Sequence, residues 1–78
     1  MRAYDAMGKL KWKEELDSCI ITIRHRGSEN NEKEISGSSV SEVKKSYFVY
    51  KSPDETIIPM HRILRIELKG RCLWKKGT

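Results

Sequence analysis

The segment CIITIRHR, residues 19–26, decides the fold, because its run of β-branched residues is typical of a strand. Side chains alternate along a strand, so the segment has two faces. One face carries Cys19, Ile21, Ile23 and His25, and the other carries Ile20, Thr22, Arg24 and Arg26. We therefore expect a strand that packs one side on a core and ends in a His-Arg pair.

Two further stretches alternate in the same way. The segment KSYFVYK, residues 45–51, predicts a strand in which Tyr47 and Val49 face away from Phe48 and Tyr50. The segment ILRIEL, residues 63–68, predicts another, with the residues at 64, 66 and 68 on one side and those at 63, 65 and 67 on the other. The turn-forming residues 69–71 and the apolar residues 72–74 then predict a closing hairpin.

The chain between these strands contains shorter elements. Residues 27–31 and 52–55 are turns by composition, and residues 33–36 can form a short returning strand. Residues 56–58 predict a brief strand that ends at Pro59, since proline cannot donate to a central ladder. The spacing from Ser39 to Glu42 matches a capping box and predicts one helical turn.

The N-terminal segment predicts a short amphipathic helix. Ala3, Met7 and Leu10 recur at helical spacing, although Gly8 weakens the helix. Trp12 and Leu16 follow, and we expect both to anchor this segment onto the sheet. The predicted fold is α+β: a small antiparallel sheet or partly closed barrel of five or six short strands, with the helix packed on it.

The length and composition exclude several classes of protein. A chain of 78 residues predicts a single domain, spanning residues 1–78, with a modest core. No apolar run approaches the ~20 residues that a membrane-spanning helix needs, and no apolar leader is visible at the N-terminus. The two cysteines form no CxxC motif and predict neither a metal site nor a disulfide. These features predict a cytoplasmic protein without a metal or another cofactor.

The positive charge is concentrated at one end of the chain. Residues 1–17 and 18–59 each balance to zero, whereas residues 60–78 carry six basic residues against Glu67 and hold the whole excess of +5. A positive field confined to one segment favours a polyanionic or phosphate-bearing partner. The alternative is a solvated tail whose lysines and arginines have no specific partner.

Several short motifs resemble one known family. The stretch IIPMHRI, residues 57–63, followed by Leu73-Trp74, resembles the "IPxHRI … LW" hallmark of a small archaeal domain of unknown function, also called the RNA cyclic group end recognition domain. Similar residues occur at positions 10–12, 25–27, 35–37 and 47–49, so the resemblance covers nearly the whole chain. It implies an RNA-binding module that recognises phosphorylated RNA ends, in particular 2′,3′-cyclic phosphates, in RNA processing or repair.

Two His-Arg pairs are the candidate phosphate ligands. His61-Arg62 follows Pro59, and His25-Arg26 ends the first predicted strand. Arginine offers a planar fork for two phosphate oxygens, and histidine donates a hydrogen bond beside an anion. We therefore predict that His25 and His61 converge on one site flanked by Arg26 and Arg62. Alternatively, each histidine braces its own turn through backbone hydrogen bonds, and the arginines are simply solvated.

Further residues extend the predicted site. Arg65, Lys44 and Lys45 would add positive charge beside the two pairs. Tyr47 or Tyr50 can stack a terminal base, because one of the two alternating faces of their strand should be exposed. The remaining large aromatic residues, Trp12, Phe48 and Trp74, are assigned to the core.

Two alternatives to RNA-end binding stay open at this point. One is a protein–protein adaptor or dimerising module that uses exposed strand edges to bind an RNA-processing enzyme or a second copy of the chain. The other is a metal-free acid–base ribonuclease that uses the two histidines. The H-x-S/T motif of 2H phosphoesterases is missing, because His25 precedes Arg-Gly and His61 precedes Arg-Ile. A binding role is therefore favoured over catalysis.

Overall fold

The computed structural model describes residues 2–27, 29–51 and 53–77. One helix, α1, spans Ala3–Trp12. The strands in this part of the chain are β1 (Cys19–Arg24), β2 (Glu32–Ser36), β3 (Val40–Val43), β4 (Tyr47–Lys51), β5 (Glu55–Pro59), β6 (Ile63–Leu68) and β7 (Arg71–Lys75). Ser28 and Ser52, which the sequence predicts to lie in turns, fall outside the described residues.

The strands form two antiparallel sheets. The larger sheet has the order β2-β1-β6-β7, and the smaller has the order β3-β4-β5. This arrangement with one helix confirms the predicted α+β class, with seven strands in the described residues rather than five or six and without a closed barrel.

The chain passes between the sheets at two corners. Each corner is a single 3₁₀ turn between two strands: Gly37–Ser39 joins β2 to β3, and Met60–Arg62 joins β5 to β6. Strands that switch sheets through a sharp corner are typical of sheets packed across one another. The two corners therefore hold both sheets around one core.

The extra strand β3 corrects one prediction. The predicted helical turn from Ser39 to Glu42 is wrong, because residues 40–43 pair with β4. The helical turn lies just before, at Gly37–Ser39, where the Ser36 Oγ accepts a hydrogen bond from the Ser38 backbone N–H at 3.3 Å. The capping serine is therefore Ser36 and not the predicted Ser39.

The core lies between α1 and the inner faces of both sheets. Its buried members include Ala3, Ala6, Met7, Leu10, Leu16, Cys19, Ile21, Ile23, Ile35, Phe48, Tyr50, Ile58, Met60, Ile63 and Ile66. The predicted helix and the anchoring role of Leu16 are confirmed. The predicted anchoring by Trp12 is wrong: its side chain is 88% exposed, because helical geometry turns it away from the face that carries Met7 and Leu10.

Strict alternation in β6 is also wrong. Ile63 and Ile66 are both fully buried, although they are three residues apart. The register explains this, since Thr22 pairs with Arg65 while Ile23 pairs with Ile63, which leaves Leu64 as the extra residue of a bulge. The predicted β6–β7 hairpin is confirmed, and Lys69 and Gly70 both adopt positive φ at its turn, as a type I′ turn requires.

Thr22 provides a test of the outer face of the larger sheet. It is fully buried, and within the described residues its Oγ1 has no hydrogen-bond partner. Burying a hydroxyl without a partner costs about 1–3 kcal/mol. We expect Thr22→Val to raise the free energy of unfolding by about 1 kcal/mol in urea denaturation, since valine keeps the shape and removes the hydroxyl. A decrease of similar size in the free energy of unfolding would show that the Thr22 hydroxyl is hydrogen-bonded in solution.

Candidate nucleic-acid interface

The register between β1 and β6 brings the two predicted histidines to one end of the larger sheet. Ile23 pairs with Ile63 in antiparallel order, so the chain leaves β1 through His25 where it approaches β6 through His61. Both histidines are exposed. The His25 backbone N–H also donates to the Asn31 carbonyl at 2.8 Å, which ties the end of β1 to the following loop.

A groove of about 350 Å³ surrounds His61, and we call it the His61 groove. Its basic side chains come from four separate segments: Arg2 before α1, Lys45 between β3 and β4, His61 itself, and Lys76 after β7. Its apolar walls include Tyr4, Met60, Ile63 and Trp74. The groove thus combines positive charge with two aromatic rings.

Hydrogen bonds hold these segments together. The Lys76 Nζ donates to the His61 carbonyl oxygen, and the Lys76 backbone N–H donates to the Leu64 carbonyl at 2.9 Å. The Met60 backbone N–H donates to the Ser46 carbonyl at 2.9 Å, which fixes the β3–β4 turn against the second corner. These contacts hold the segments that carry Lys45 and Lys76 against the corner that carries His61.

A second groove of about 510 Å³ opens beside the first, and we call it the Arg26 groove. Its polar lining comes from Arg24, Arg26, Asn30, Asn31 and the acidic residue Glu32. Leu64 lines this groove, whereas its neighbour Ile63 lines the His61 groove, so the start of β6 separates the two.

The two grooves bear on the predicted meeting of the His-Arg pairs. His25 and His61 lie at the same end of the sheet, but Arg26 and His61 line different grooves. Binding of one ligand by both pairs stays a prediction. Arg62 and Lys44 are exposed at the corner and at the β3–β4 turn respectively.

Arg65 is engaged in ion pairs. Its Nη2 lies 3.1 Å from Glu32 Oε1, and its Nε lies 3.5 Å from Glu67 Oε1. The hydrogen bond to Glu32 raises the pKa of the guanidinium, and the charges of both carboxylates raise it further. A phosphate would have to compete with two carboxylates for this side chain, so Arg65 is a weaker candidate than the lysines of the His61 groove.

The two tyrosines of β4 differ in how much of each is exposed to a ligand. Tyr50 is 5% exposed, and its hydroxyl accepts a hydrogen bond from Lys33 Nζ at 3.3 Å. Its ring lies in the core, so it has no face for a stacked base. Tyr47 is half-buried on the other side of the strand and keeps the predicted stacking role as a prediction.

Sequence reasoning missed several residues of the His61 groove. Arg2 and Tyr4 precede or begin α1, far along the chain from His61, and no local pattern marks them. Trp74 was assigned to the core; it packs against the core but also lines the groove. Lys76 belongs to the basic segment 60–78, so charge placement was the signal that could have found it.

In residues 2–27, 29–51 and 53–77, no cluster of three or more metal-ligating side chains occurs, and no helix is long and apolar enough to cross a membrane. Cys19 and Cys72 are free thiols. Burial raises the pKa of the Cys19 thiol, and Glu15 raises it further, which disfavours the reactive thiolate.

The helix on two antiparallel sheets, with basic grooves at one end, defines a small basic α+β domain that carries a candidate anion-binding surface. Comparison with known proteins identifies the family. The family model described as the MJ1316 RNA cyclic group end recognition domain matches residues 1–76, and the chain belongs to this family.

Relatives in archaea are similar over most of their length. A UPF0248 protein of Saccharolobus islandicus is 38% identical over 97% of this chain and 100% of its own. A UPF0248 protein of Saccharolobus solfataricus is 36% identical over 99% of each chain, and one of Methanopyrus kandleri is 33% identical over 74% of each. No solved structure gives a significant match.

Proposed function

We propose that this protein is an RNA-binding module that holds a phosphorylated 3′ end of RNA in the His61 groove. The observation that supports this most directly is the set of four basic side chains around one groove that also has aromatic walls. The family name supports the same ligand, since it describes recognition of RNA cyclic ends.

The chemistry of the groove suits a terminal nucleotide. Lysine ammonium groups and an imidazole N–H donate charge-assisted hydrogen bonds to phosphate oxygens. An aromatic ring such as Tyr4 or Trp74 stacks on the terminal base and contributes about 1–3 kcal/mol. A cyclic phosphate keeps one negative charge and adds a rigid ring at the ribose, so shape as well as charge would select it.

The test compares three RNA oligonucleotides that differ only at the 3′ end. They end in a 2′,3′-cyclic phosphate, a 3′-phosphate or a 3′-hydroxyl, and the Kd of each is measured at low salt. We expect the phosphorylated ends to bind at least about tenfold more tightly than the hydroxyl end, because one charge-assisted contact is worth about 1.5–3 kcal/mol. Equal affinity for all three would remove end recognition.

The same measurement examines the ribonuclease alternative. Recovery of intact oligonucleotide after incubation supports a binding role, whereas cleavage that disappears in a His61→Ala variant would establish catalysis at this groove. Cleavage unchanged in that variant would point to a contaminant.

The adaptor alternative has one observation in its favour. Ile57 on β5, an edge strand of the smaller sheet, is 62% exposed. The dependence of Kd on salt concentration distinguishes RNA binding from the adaptor role. Phosphate binding weakens steeply as salt rises, and an apolar protein contact does not.

A further inference from the structure

A third groove lies beside the turn of the β6–β7 hairpin, between β7 and the C-terminal half of α1. We call it the Lys13 groove, and it encloses about 350 Å³. Its basic residues are Lys9, Lys13 and Arg71, and its apolar residues include Ala6, Leu10, Leu68 and Leu73. Neither the predicted site nor the proposed function uses these residues.

The basic residues of this groove are available to an anion. Lys9 lies in the last turn of α1, and Lys13 caps the helix four residues later with its backbone N–H bonded to the Lys9 carbonyl at 3.1 Å. Residues four apart at a helix end lie on the same flank, and Arg71 approaches from β7. Within the part of the chain that the structure describes, none of these three forms an ion pair with a carboxylate. Glu15 is the acidic side chain in the lining, so three positive charges face one negative charge.

The apolar residues narrow the class of ligand. Leu73 is 40% exposed and lies in the groove with Leu10 and Leu68. A simple anion would use the cations and leave this apolar surface wet. A nucleotide uses both, because its base covers apolar surface while its phosphate meets the cations.

We propose that the Lys13 groove binds the RNA strand on the 5′ side of the terminal nucleotide, an inference that rests on the proposed function. Strand β7 connects the two sites, since Arg71 lines the Lys13 groove and Lys76, just after β7, lines the His61 groove. Five residues of strand span roughly 17 Å at about 3.3 Å per residue. That distance corresponds to about five nucleotides stacked at roughly 3.4 Å each.

The experiment varies RNA length and groove charge together. Wild type, a Lys9→Glu/Lys13→Glu variant and a Lys11→Glu/Lys51→Glu control are titrated with a dinucleotide and an octanucleotide that carry the same phosphorylated 3′ end. The control changes the net charge equally, but Lys11 lies on another flank of α1 beside Glu14 and Asp17, and Lys51 lies at the end of β4. A Lys9→Gln/Lys13→Gln variant guards against misfolding, because acidic residues near a helix C-terminus are unfavourable.

We expect wild type to bind the octanucleotide more tightly than the dinucleotide. In both Lys9/Lys13 variants the octanucleotide should lose about tenfold in affinity, while the dinucleotide and the preference among ends stay unchanged. A plot of log K against log salt for the octanucleotide has a negative slope. In the Lys9/Lys13 variants this slope should be shallower by about 1.4 than in wild type, since two phosphate contacts on a single strand contribute about 0.7 each.

Three results would overturn this inference. One is octanucleotide binding by the Lys9/Lys13 variants that equals binding by the Lys11/Lys51 control. Another is equal wild-type affinity for both lengths with end preference intact, which would leave the proposed function standing. The third is competition by poly-glutamate as strong as by RNA of equal charge, which would assign the groove to an acidic protein. Loss of end preference in wild type would instead refute the proposed function itself.

Discussion

Replacing Gly37 with alanine is expected to lower the free energy of unfolding by more than about 3 kcal/mol. A Cβ built on Gly37 overlaps the Leu16 carbonyl oxygen and comes within 2.9 Å of the Leu16 carbonyl carbon and 3.2 Å of the Cys19 carbonyl oxygen. All three neighbours are backbone atoms, so no side-chain rotation relieves the overlap. Only a displacement of the main chain can make room for the methyl group.

The main chain on both sides of this contact is fixed. Gly37 begins the first corner directly after β2, and Leu16–Ser18 forms the 3₁₀ turn directly before β1. The two strands are hydrogen-bonded neighbours, with Ile20 paired to Ser36. Separating Gly37 from Leu16 therefore strains the end of the β1–β2 ladder. We expect a loss of more than about 3 kcal/mol, which is a large part of the ~4–12 kcal/mol that a domain of this size commonly has.

Gly8→Ala is the matched control for this substitution. A Cβ at Gly8 meets nothing within 4 Å, and the residue lies inside α1. Alanine is the better helix former by about 1 kcal/mol, so this variant should be more stable than wild type. Urea denaturation followed by circular dichroism measures both. If the free energy of unfolding of Gly37→Ala lies within about 1 kcal/mol of the wild-type value, the close approach of Gly37 to the Leu16 backbone would be contradicted.

The parts of the fold that sequence reasoning predicted are those with a strong local pattern. The helix, β1, β4 and the β6–β7 hairpin each have their own periodicity or turn residues. Strand β3 was missed because its sequence, VSEV, is short, polar and follows three small residues. The bulge at Leu64 was missed because it depends on pairing with β1 rather than on β6 itself.

The candidate site was predictable only in part, for a similar reason. The sequence motifs marked His25 and His61 as candidates, but the antiparallel pairing of β1 with β6, which places both at one end of a sheet, is visible only in the structure. The groove itself is assembled from four segments that are distant in sequence, and Arg2 and Lys45 reach it only through the packing of α1 and the contact of Met60 with Ser46. The predicted anchoring role of Trp12 was wrong because the exposure of this residue depends on its position around the helix rather than on its residue type.

Reversing two charges in the His61 groove should strongly weaken binding of the RNA end. In a Lys45→Glu/Lys76→Glu variant, two side chains that would donate to a phosphate become like charges beside it. Each charge-assisted contact is worth about 1.5–3 kcal/mol, so losing both predicts at least a hundredfold rise in Kd for an RNA with a phosphorylated 3′ end. Fluorescence anisotropy with a dinucleotide carrying that end measures this loss.

The location of the charge, rather than its amount, has to explain this loss. The Lys11→Glu/Lys51→Glu variant has the same net charge and should change the Kd less than about threefold, since neither lysine lines the His61 groove and salt screens distant charges. Lys76 also bonds the His61 carbonyl, so a Lys45→Gln/Lys76→Gln variant and a urea midpoint for each protein separate lost contacts from lost structure. Equal weakening by both charge-reversal pairs would mean that the protein attracts RNA only through its overall field. Weakening confined to Lys45 and Lys76, with selectivity among the three ends also lost, would instead identify the His61 groove as the place where the end is recognised.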